Sequence, residues 1–294
     1  MKKLLLFGSV ALSAISCYSS DDTPFDNSDP SNQTVILPTK MTMDGIVMKI
    51  NYNGTKIISM INNINHGQRI EFTYTDDYIT GIKHYENNVL ESAVEYGYTN
   101  GRMATAVTKE YSTTGTIENT VTFSYTYTST TEISVKRQTN SGAAGSSIIN
   151  SVFTYNNGNM VSNAGSGTGI VNGNTINYTE KETYTYTDKN YPFKNVKGFD
   201  KIIFNGNESS DGISMLFSNN KNSLSTYKGE FTQTTAGGGT ATGTTSHKYT
   251  TTFNTAGYPS EESRQTLDMN GNANSSAPDK FFYEYNYLTS PEKG

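Results

Sequence analysis

The chain of 294 residues contains one cysteine, no tryptophan, seven prolines and, after residue 16, only six leucines. A single cysteine excludes a disulfide within the chain. The scarcity of leucine argues against a mainly helical fold, because leucine is among the strongest helix formers. Charged residues make up 17% of the chain and the net charge is −5. The chain therefore lacks the basic excess that holds nucleic-acid phosphates, and we expect no nucleic-acid partner.

The residues that are abundant favour strands and turns. The chain has 21 tyrosines and 13 phenylalanines, many threonines, and 26 glycines. Aromatic and β-branched residues are enriched in strands, whereas asparagine and glycine are enriched in turns. Hydrophobic residues reach only 34%, which is too few for a thick core with two apolar sides. The composition predicts an all-β fold whose strands have one apolar face each.

The N-terminus has the pattern of an export signal. Lys2 and Lys3 precede an apolar stretch over residues 4–15, which is shorter than the roughly 20 apolar residues that span a bilayer. The following Ala14-Ile15-Ser16-Cys17 resembles the bacterial lipobox, in which the cysteine is acylated after the signal is removed. We predict a signal peptide over 1–16 and lipid attachment at Cys17. The alternative is an ordinary secretory signal with a stray cysteine.

Residues 17–41 have no apolar periodicity and are rich in Asp, Ser, Asn and Pro, which is typical of a flexible acidic tether. The sequence Ser19-Ser20-Asp21-Asp22 also resembles the acidic signal that sends lipoproteins of the Bacteroidota to the outer leaflet. That resemblance implies a lipid-anchored protein of the cell outer membrane. A periplasmic or a surface-facing orientation is left open, as is a merely soluble linker.

Aromatic pairs separated by one residue recur along the rest of the chain. They are Phe72-Tyr74, Tyr96-Tyr98, Phe123-Tyr125-Tyr127, Phe153-Tyr155, Tyr184-Tyr186 and Phe281-Tyr283-Tyr285-Tyr287. A spacing of two places both rings on one face of a strand. Asn100-Gly101 and Asn157-Gly158 follow two of the pairs, and Asn-Gly favours the type I′ hairpin turn. Successive pairs lie 24–31 residues apart, so each period is predicted to form one hairpin.

We therefore predict one antiparallel domain over residues 42–290. Its expected fold is a large twisted meander of hairpin repeats, curled or half-closed, with at most one short helix, at 210–217. The glycine-rich runs 164–169 and 236–243 are interpreted as hairpin tips. The C-terminal strand 280–287 should not be a free edge, because it has no proline and little charge to prevent pairing with other chains. The predicted strands are 45–52, 56–62, 68–75, 78–85, 89–98, 102–111, 116–128, 132–138, 148–155, 175–187, 223–234, 246–253, 262–267 and 280–287.

The stretch from Tyr96 through Gly101-Arg102-Met103 resembles the YD or RHS-like repeat, in which an aromatic strand is followed by a Gly-Arg-Leu turn and strand. A second stretch, Asn190-Tyr191-Pro192-Phe193 after an aromatic strand, resembles a phrase of uncharacterised Bacteroidota lipoproteins built from such hairpins. The resemblance covers about residues 42–290. It implies a β-hairpin fold and an envelope location, and it carries no catalytic residues.

The sequence offers no catalytic, metal or cofactor motif, and we expect none of these sites. His66, His84 and His247 have no metal-ligand spacing and are interpreted as exposed strand residues. The run Gly165-Ser-Gly167-Thr-Gly169 is followed by no helical pattern that would make it a phosphate-binding loop.

Two groups of acidic residues are interpreted as turn or solvated residues rather than as binding or catalytic sites. The segment 268–274 alternates oxygen-bearing side chains, but Gly271 and Asp279 do not fit the glycine and glutamate positions of a calcium loop. We therefore interpret it as an Asn-rich turn. Asp76-Asp77 and Glu261-Glu262 are adjacent in sequence, and adjacent strand residues point to opposite faces.

These observations favour a lipid-anchored envelope protein that acts as a non-catalytic binding or structural module. Its partner would be a glycan or a protein, bound on a face rich in tyrosine, although most of these rings should pack within the sheet. Two alternatives remain open. One is a glycan-active enzyme, which requires two carboxylates about 5–10 Å apart on a concave face, and the other is a carrier of an apolar ligand.

Replacing Cys17 with Ala should abolish lipid labelling and membrane fractionation, because the acyl chains would be the anchor. Metabolic labelling with a fatty acid and fractionation of the envelope measure both effects. A Cys17→Ala protein that still sediments with the outer membrane would show that the anchor lies elsewhere.

Overall fold

A computed structural model describes residues 35–43, 45–142, 145–203 and 219–286 of the protein. Cys17, the predicted signal, most of the predicted tether and the predicted helix at 210–217 lie outside these residues. Within the described part of the chain, no helix is long and apolar enough to cross a membrane.

The described residues form sixteen strands and one turn of 3-10 helix at Phe199–Lys201. In chain order the strands are β1 Pro38–Met43, β2 Ile46–Asn53, β3 Lys56–Asn62, β4 Arg69–Thr75, β5 Tyr78–Glu86, β6 Val89–Thr99, β7 Arg102–Tyr111, β8 Ile117–Tyr127, β9 Glu132–Asn140, β10 Gly145–Asn156, β11 Asn159–Val171, β12 Asn174–Asn190, β13 Asn222–Thr235, β14 Thr240–Phe253, β15 Pro259–Leu267 and β16 Asp279–Tyr285.

These strands form a closed antiparallel barrel in which every strand pairs with its neighbours in sequence. Closure occurs where β16 pairs with β1, with Met41 opposite Tyr283 and Met43 opposite Phe281. The prediction of an open or half-closed meander was therefore wrong. Pairing β1 with β16 satisfies the backbone groups that two free edges would expose to other chains. The prediction that the C-terminal strand is not a free edge is confirmed.

The hairpin turns agree with the sequence. Asn100 and Gly101 both have positive φ, as do Asn157 and Gly158, which is what a type I′ turn requires. The glycine-rich run 164–169 was wrongly assigned to a hairpin tip, because it lies inside β11 and pairs on both sides. The barrel starts at Pro38, before the expected domain start at residue 42.

The two faces of the barrel wall differ in chemistry. Buried inward pairs include Met41–Met48, Ile50–Met60, Phe72–Ile82, Ala106–Phe123, Tyr125–Val135 and Tyr184–Tyr227. Outward pairs include Thr105–Ser124, Thr122–Gln138, Lys136–Asn150, Thr168–Asn177, Thr179–Thr232 and Thr250–Ser263. Scattered apolar residues such as Ile148, Val152, Ile170 and Phe282 interrupt the outward face. The barrel therefore has a mainly polar outer wall and, where these buried pairs lie, an apolar interior.

A segment that follows β12 fills one end of the barrel. We call residues 191–203 the plug. Phe193 and Phe199 of the plug are fully buried, and the Phe199 ring packs against Phe72 with centroids 6.1 Å apart. At Gly198, φ is +87° and an added Cβ would lie 3.0 Å from the Ile79 side chain. Only glycine fits this close approach without strain.

Tyrosines at the plug end join neighbouring hairpins. The hydroxyls of Tyr52, Tyr98, Tyr186 and Tyr285 donate to the backbone carbonyls of Pro38, Ile79, Met160 and Pro259, respectively, over 2.6–2.8 Å. In every case the acceptor lies at or near the start of another strand. Each ring thus contributes apolar surface to the core while its hydroxyl satisfies a carbonyl. The recurrence of these contacts explains why tyrosine recurs before the turns.

Deletion of residues 280–294 should cause aggregation, because the loss of β16 exposes the edges of β1 and β15. Static light scattering and thermal melting measure the effect, and deletion of residues 287–294 alone, which leaves β16 whole, is the matched control. A protein lacking residues 280–294 that stays monomeric and melts like the full-length protein would contradict a closed barrel.

Candidate functional site: a polar cluster inside the barrel

Polar and charged side chains occupy the interior on strands β9 to β12, on the side of the core away from the plug. Their positions follow from the register: Asn163 lies opposite Glu182, and Gly165 lies opposite Glu180. Both glutamates share the inward face of β12 with the buried Tyr184, because all three are separated by two residues. We call Arg137, Ser151, Asn163, Glu180 and Glu182 the interior cluster.

Glu180 is held by a cation and a hydroxyl from two other strands. Arg137 of β9 donates to Oε2 of Glu180 over 3.0 Å, and the two side chains are only 18% and 19% exposed. The Ser151 hydroxyl donates to Oε1 over 3.0 Å. A charge-assisted bond of this kind is stronger than a neutral one, and partial burial reduces its screening. Arg137 and Glu180 therefore fix one another across the interior.

Glu182 is held by neutral donors. The hydroxyls of Tyr184 and Tyr227 donate to its two oxygens over 2.7 and 3.0 Å, and the Asn163 amide donates over 3.0 Å. His247 stacks on the Tyr227 ring with centroids 5.6 Å apart. Burial, and secondarily the charge of Arg264, lowers the pKa of His247.

The two glutamates are close together, as a glycan-active enzyme would require. The Asn163 amide nitrogen contacts Oε1 of Glu180 at 3.5 Å and Oε2 of Glu182 at 3.0 Å. Because one nitrogen contacts both carboxylates, the separation of these two oxygens is at most the sum of the two distances. However, all four carboxylate oxygens already accept hydrogen bonds from the chain. Glycoside hydrolysis needs one carboxyl that is free to approach the substrate and donate a proton. The arrangement suits positioning and binding better than acid catalysis.

A second polar group lies beside the plug. Glu262, Arg264, Tyr249 and Tyr283 line a cavity of about 40 Å³, which has room for about one water molecule. The Tyr283 hydroxyl is buried and has no hydrogen-bond partner among the described residues. Burial raises the pKa of Glu262 to about 7. Arg264 also forms an ion pair with Asp279, with Nη2 and Oδ2 2.7 Å apart.

Three of the histidines and acidic residues singled out in the sequence lie in or beside these two groups, namely His247, Glu262 and Asp279. Of the three histidines, His66 is exposed, as expected, whereas His84 and His247 are partly buried and were wrongly assigned to exposed positions. Glu262 was likewise wrongly interpreted as a solvated charge, since it faces inward while Glu261 faces outward opposite Phe282.

The acidic side chains at the turns contact backbone amides and lysines of the chain itself. Asp268 accepts the backbone amides of Asn270 and Asn272 over 2.9 and 2.8 Å, which supports an Asn-rich turn. Asp77 pairs with Lys197 and Lys56 at 2.9 and 3.5 Å. Within the described ranges, no three metal-ligating side chains come together.

The interior cluster escaped the sequence analysis, although one signal for it exists. In Tyr178-Thr-Glu180-Lys-Glu182-Thr-Tyr184 the two glutamates occupy the same alternate positions as the tyrosines. A strand reading of this pattern places the carboxylates on the tyrosine face, inside the sheet. The partner Arg137 lies 43 residues away and has no comparable signal.

No family model matches the chain, and no curated protein matches it. Among solved structures, a porin-like protein from Bacteroides vulgatus has a TM-score of 0.53 and 13% sequence identity, covering 86% of this chain and 99% of that one. A porin-like protein from Bacteroides uniformis has a TM-score of 0.32 and 10% identity, covering 82% of this chain and 78% of that one. The first likeness shows a shared fold, and the second is too distant to carry an argument.

The pKa of Glu262 predicts a pH-dependent stability. A carboxyl whose pKa is raised from 4.5 to about 7 on folding binds more protons in the folded state, so its contribution falls as the pH rises through this range. Glu262→Gln should therefore stabilise the protein by about 3 kcal/mol at pH 8 and have little effect at pH 4.5. Denaturant unfolding at both pH values measures the difference.

Glu261→Gln, on the outward face, is the control and should leave the pH dependence unchanged. An equal pH dependence in wild type and Glu262→Gln would show that Glu262 is ionised in the folded protein without cost.

Proposed function

We propose that the protein is a cell-envelope lipoprotein, anchored through acylated Cys17 to the outer membrane, whose barrel stands in water as a non-catalytic binding module. The observation that carries the proposal is the chemistry of the outer wall. Threonine, serine, asparagine, glutamine and lysine occupy most outward positions of β7 to β15, with scattered apolar residues such as Ile148 and Ile170 between them. A barrel that spans a bilayer has the opposite arrangement, with an apolar band outside and polar residues inside.

The packing of the interior supports a binding module rather than a conduit. Large apolar side chains fill the barrel at the plug end, including Met60, Ile79, Met103, Phe193 and Phe199, each at most 1% exposed. The cavity beside the plug is about 40 Å³, far smaller than an acyl chain or another sizeable apolar ligand requires. The porin-like protein from Bacteroides vulgatus therefore shares the fold of this chain. The water-facing wall of this chain favours a different use of that fold.

The N-terminal anchor and the water-facing wall support one another. A polar wall provides no attachment to lipid, so a protein of the membrane with such a wall needs a separate anchor. The lipobox-like sequence before Cys17 would supply it, and residues 17–34 would connect it to β1. Surface exposure of the barrel is part of the proposal, motivated by the acidic stretch after Cys17.

Adjacent residues of β8 test the orientation of the wall. Thr122 faces outward opposite Val107 and Gln138, and Phe123 is 3% exposed and faces inward. In water, Thr122→Lys should change the free energy of unfolding by less than about 0.5 kcal/mol, whereas Phe123→Lys should abolish folding because it buries an unpaired charge. In a lipid-facing wall, a lysine at mid-strand costs roughly 2–4 kcal/mol.

The measurement is denaturant unfolding of the full-length protein in detergent-free buffer, with lipid vesicles added in a parallel series. A Thr122→Lys protein that is as unstable as Phe123→Lys, or a wild-type barrel that folds only when vesicles are present, would contradict a water-facing wall.

A further inference from the structure

Two aromatic rings, Phe231 exposed and Tyr178 partly buried, lie on the inward face beside the interior cluster. Phe231 of β13 is directly opposite Glu180, and Tyr178 of β12 is directly opposite Gln233. Phe231 and Tyr178 are therefore diagonal neighbours on one face of the β12–β13 pair, within contact distance for aromatic side chains. Phe231 is 45% exposed although it points inward. We call Tyr178 and Phe231 the aromatic platform.

Glycines on the adjacent strands leave room for these rings. A Cβ added to Gly243 of β14 would fall 2.1 Å from the Phe231 ring, and one added to Gly169 of β11 would fall 3.0 Å from the Tyr178 ring. Each ring thus occupies the space that a side chain on the next strand would fill. The Tyr178 ring lies toward β11 and the Phe231 ring toward β14. Gly169 and Gly243, which lie inside strands rather than at hairpin tips, therefore accommodate these two rings.

Hydrogen-bonding groups border the platform. Gln233 is exposed and lies next to Phe231 on the same face, and Glu180 lies between the platform and the apolar core. The amide oxygen of Asn163, a residue only 4% exposed, has no donor among the described residues. A buried oxygen of this kind calls for a donor from outside the chain, either a water molecule or a ligand hydroxyl.

We propose that the aromatic platform and the interior cluster form a binding site for a neutral oligosaccharide. A sugar ring has a flat face of C–H groups, which the negative face of an aromatic ring attracts, and a rim of hydroxyls, which Gln233 and Glu180 can bond. Arg137 is already tied to Glu180, so the site has no cation to offer an acidic ligand. This assignment rests on the proposed binding function and names its ligand class.

The test uses the full-length protein and two named probes, maltohexaose and cellohexaose, in saturation-transfer NMR and isothermal titration calorimetry. Wild type should bind at least one probe, and Phe231→Ala should weaken that binding about tenfold, since one stacked ring contributes about 1.4 kcal/mol. Phe231→Leu, which keeps an apolar side chain but removes the flat ring, should weaken binding to a similar extent. Phe282→Ala is the matched control, because Phe282 is 42% exposed on the outer wall.

Three outcomes would overturn the proposal. They are no binding of either probe by wild type at 10 mM, unchanged binding by Phe231→Ala, and equal weakening by Phe231→Ala and Phe282→Ala. Melting temperatures of the variants should match that of wild type, since both phenylalanines are exposed. A negative result here would not bear on the water-facing wall or the anchor, because these are tested by Thr122→Lys and Cys17→Ala. The two proposals can therefore fail separately.

Discussion

The two-residue period of the strands constrains the whole structure. Toward the plug end, the strands have an apolar inward face made largely of aromatic and aliphatic residues, and their outward face is mainly threonine, serine and lysine. A sheet of this kind must cover its apolar face, and the described residues contain no helical layer that could do so. Closing the sheet on itself is the remaining solution, because the inward faces then bury one another. The same period makes the outer wall polar.

Closure determines what the interior must contain. Sixteen strands enclose more space than the strand side chains of the plug end can fill, and the plug supplies Phe193, Phe199 and their neighbours to complete the core. Tyrosine suits this end because one side chain provides both a packed ring and a donor for a carbonyl near a turn. Toward the other end, glycines replace bulky inward residues, and charged groups pair across the strands. One barrel thereby combines a rigid base with a polar, partly exposed interior.

The hairpins were predictable from sequence because their determinants are local. Aromatic alternation and Asn-Gly turns act within a few residues, and both agree with the structure. Closure was not predictable in this way, since the pairing of Met41 with Tyr283 joins distant parts of the chain. Strand β11 was missed because its glycines have low strand propensity, although one of them, Gly169, accommodates the Tyr178 ring of β12. The interior cluster was missed because Glu180 and Glu182 look like ordinary surface charges until the face of β12 is known.

The central claim is that the barrel's outer wall faces water while the protein is held at a membrane by its N-terminus. Electron paramagnetic resonance on nitroxide labels attached to single cysteines at Thr122, Lys136, Thr179 and Thr250, in anchored protein on vesicles, tests it most directly. Acylation of Cys17 would leave no competing thiol. We expect all four labels to be relaxed strongly by a water-soluble nickel complex and weakly by oxygen. A band of labels relaxed more strongly by oxygen than by the nickel complex would place the wall in lipid and contradict the account.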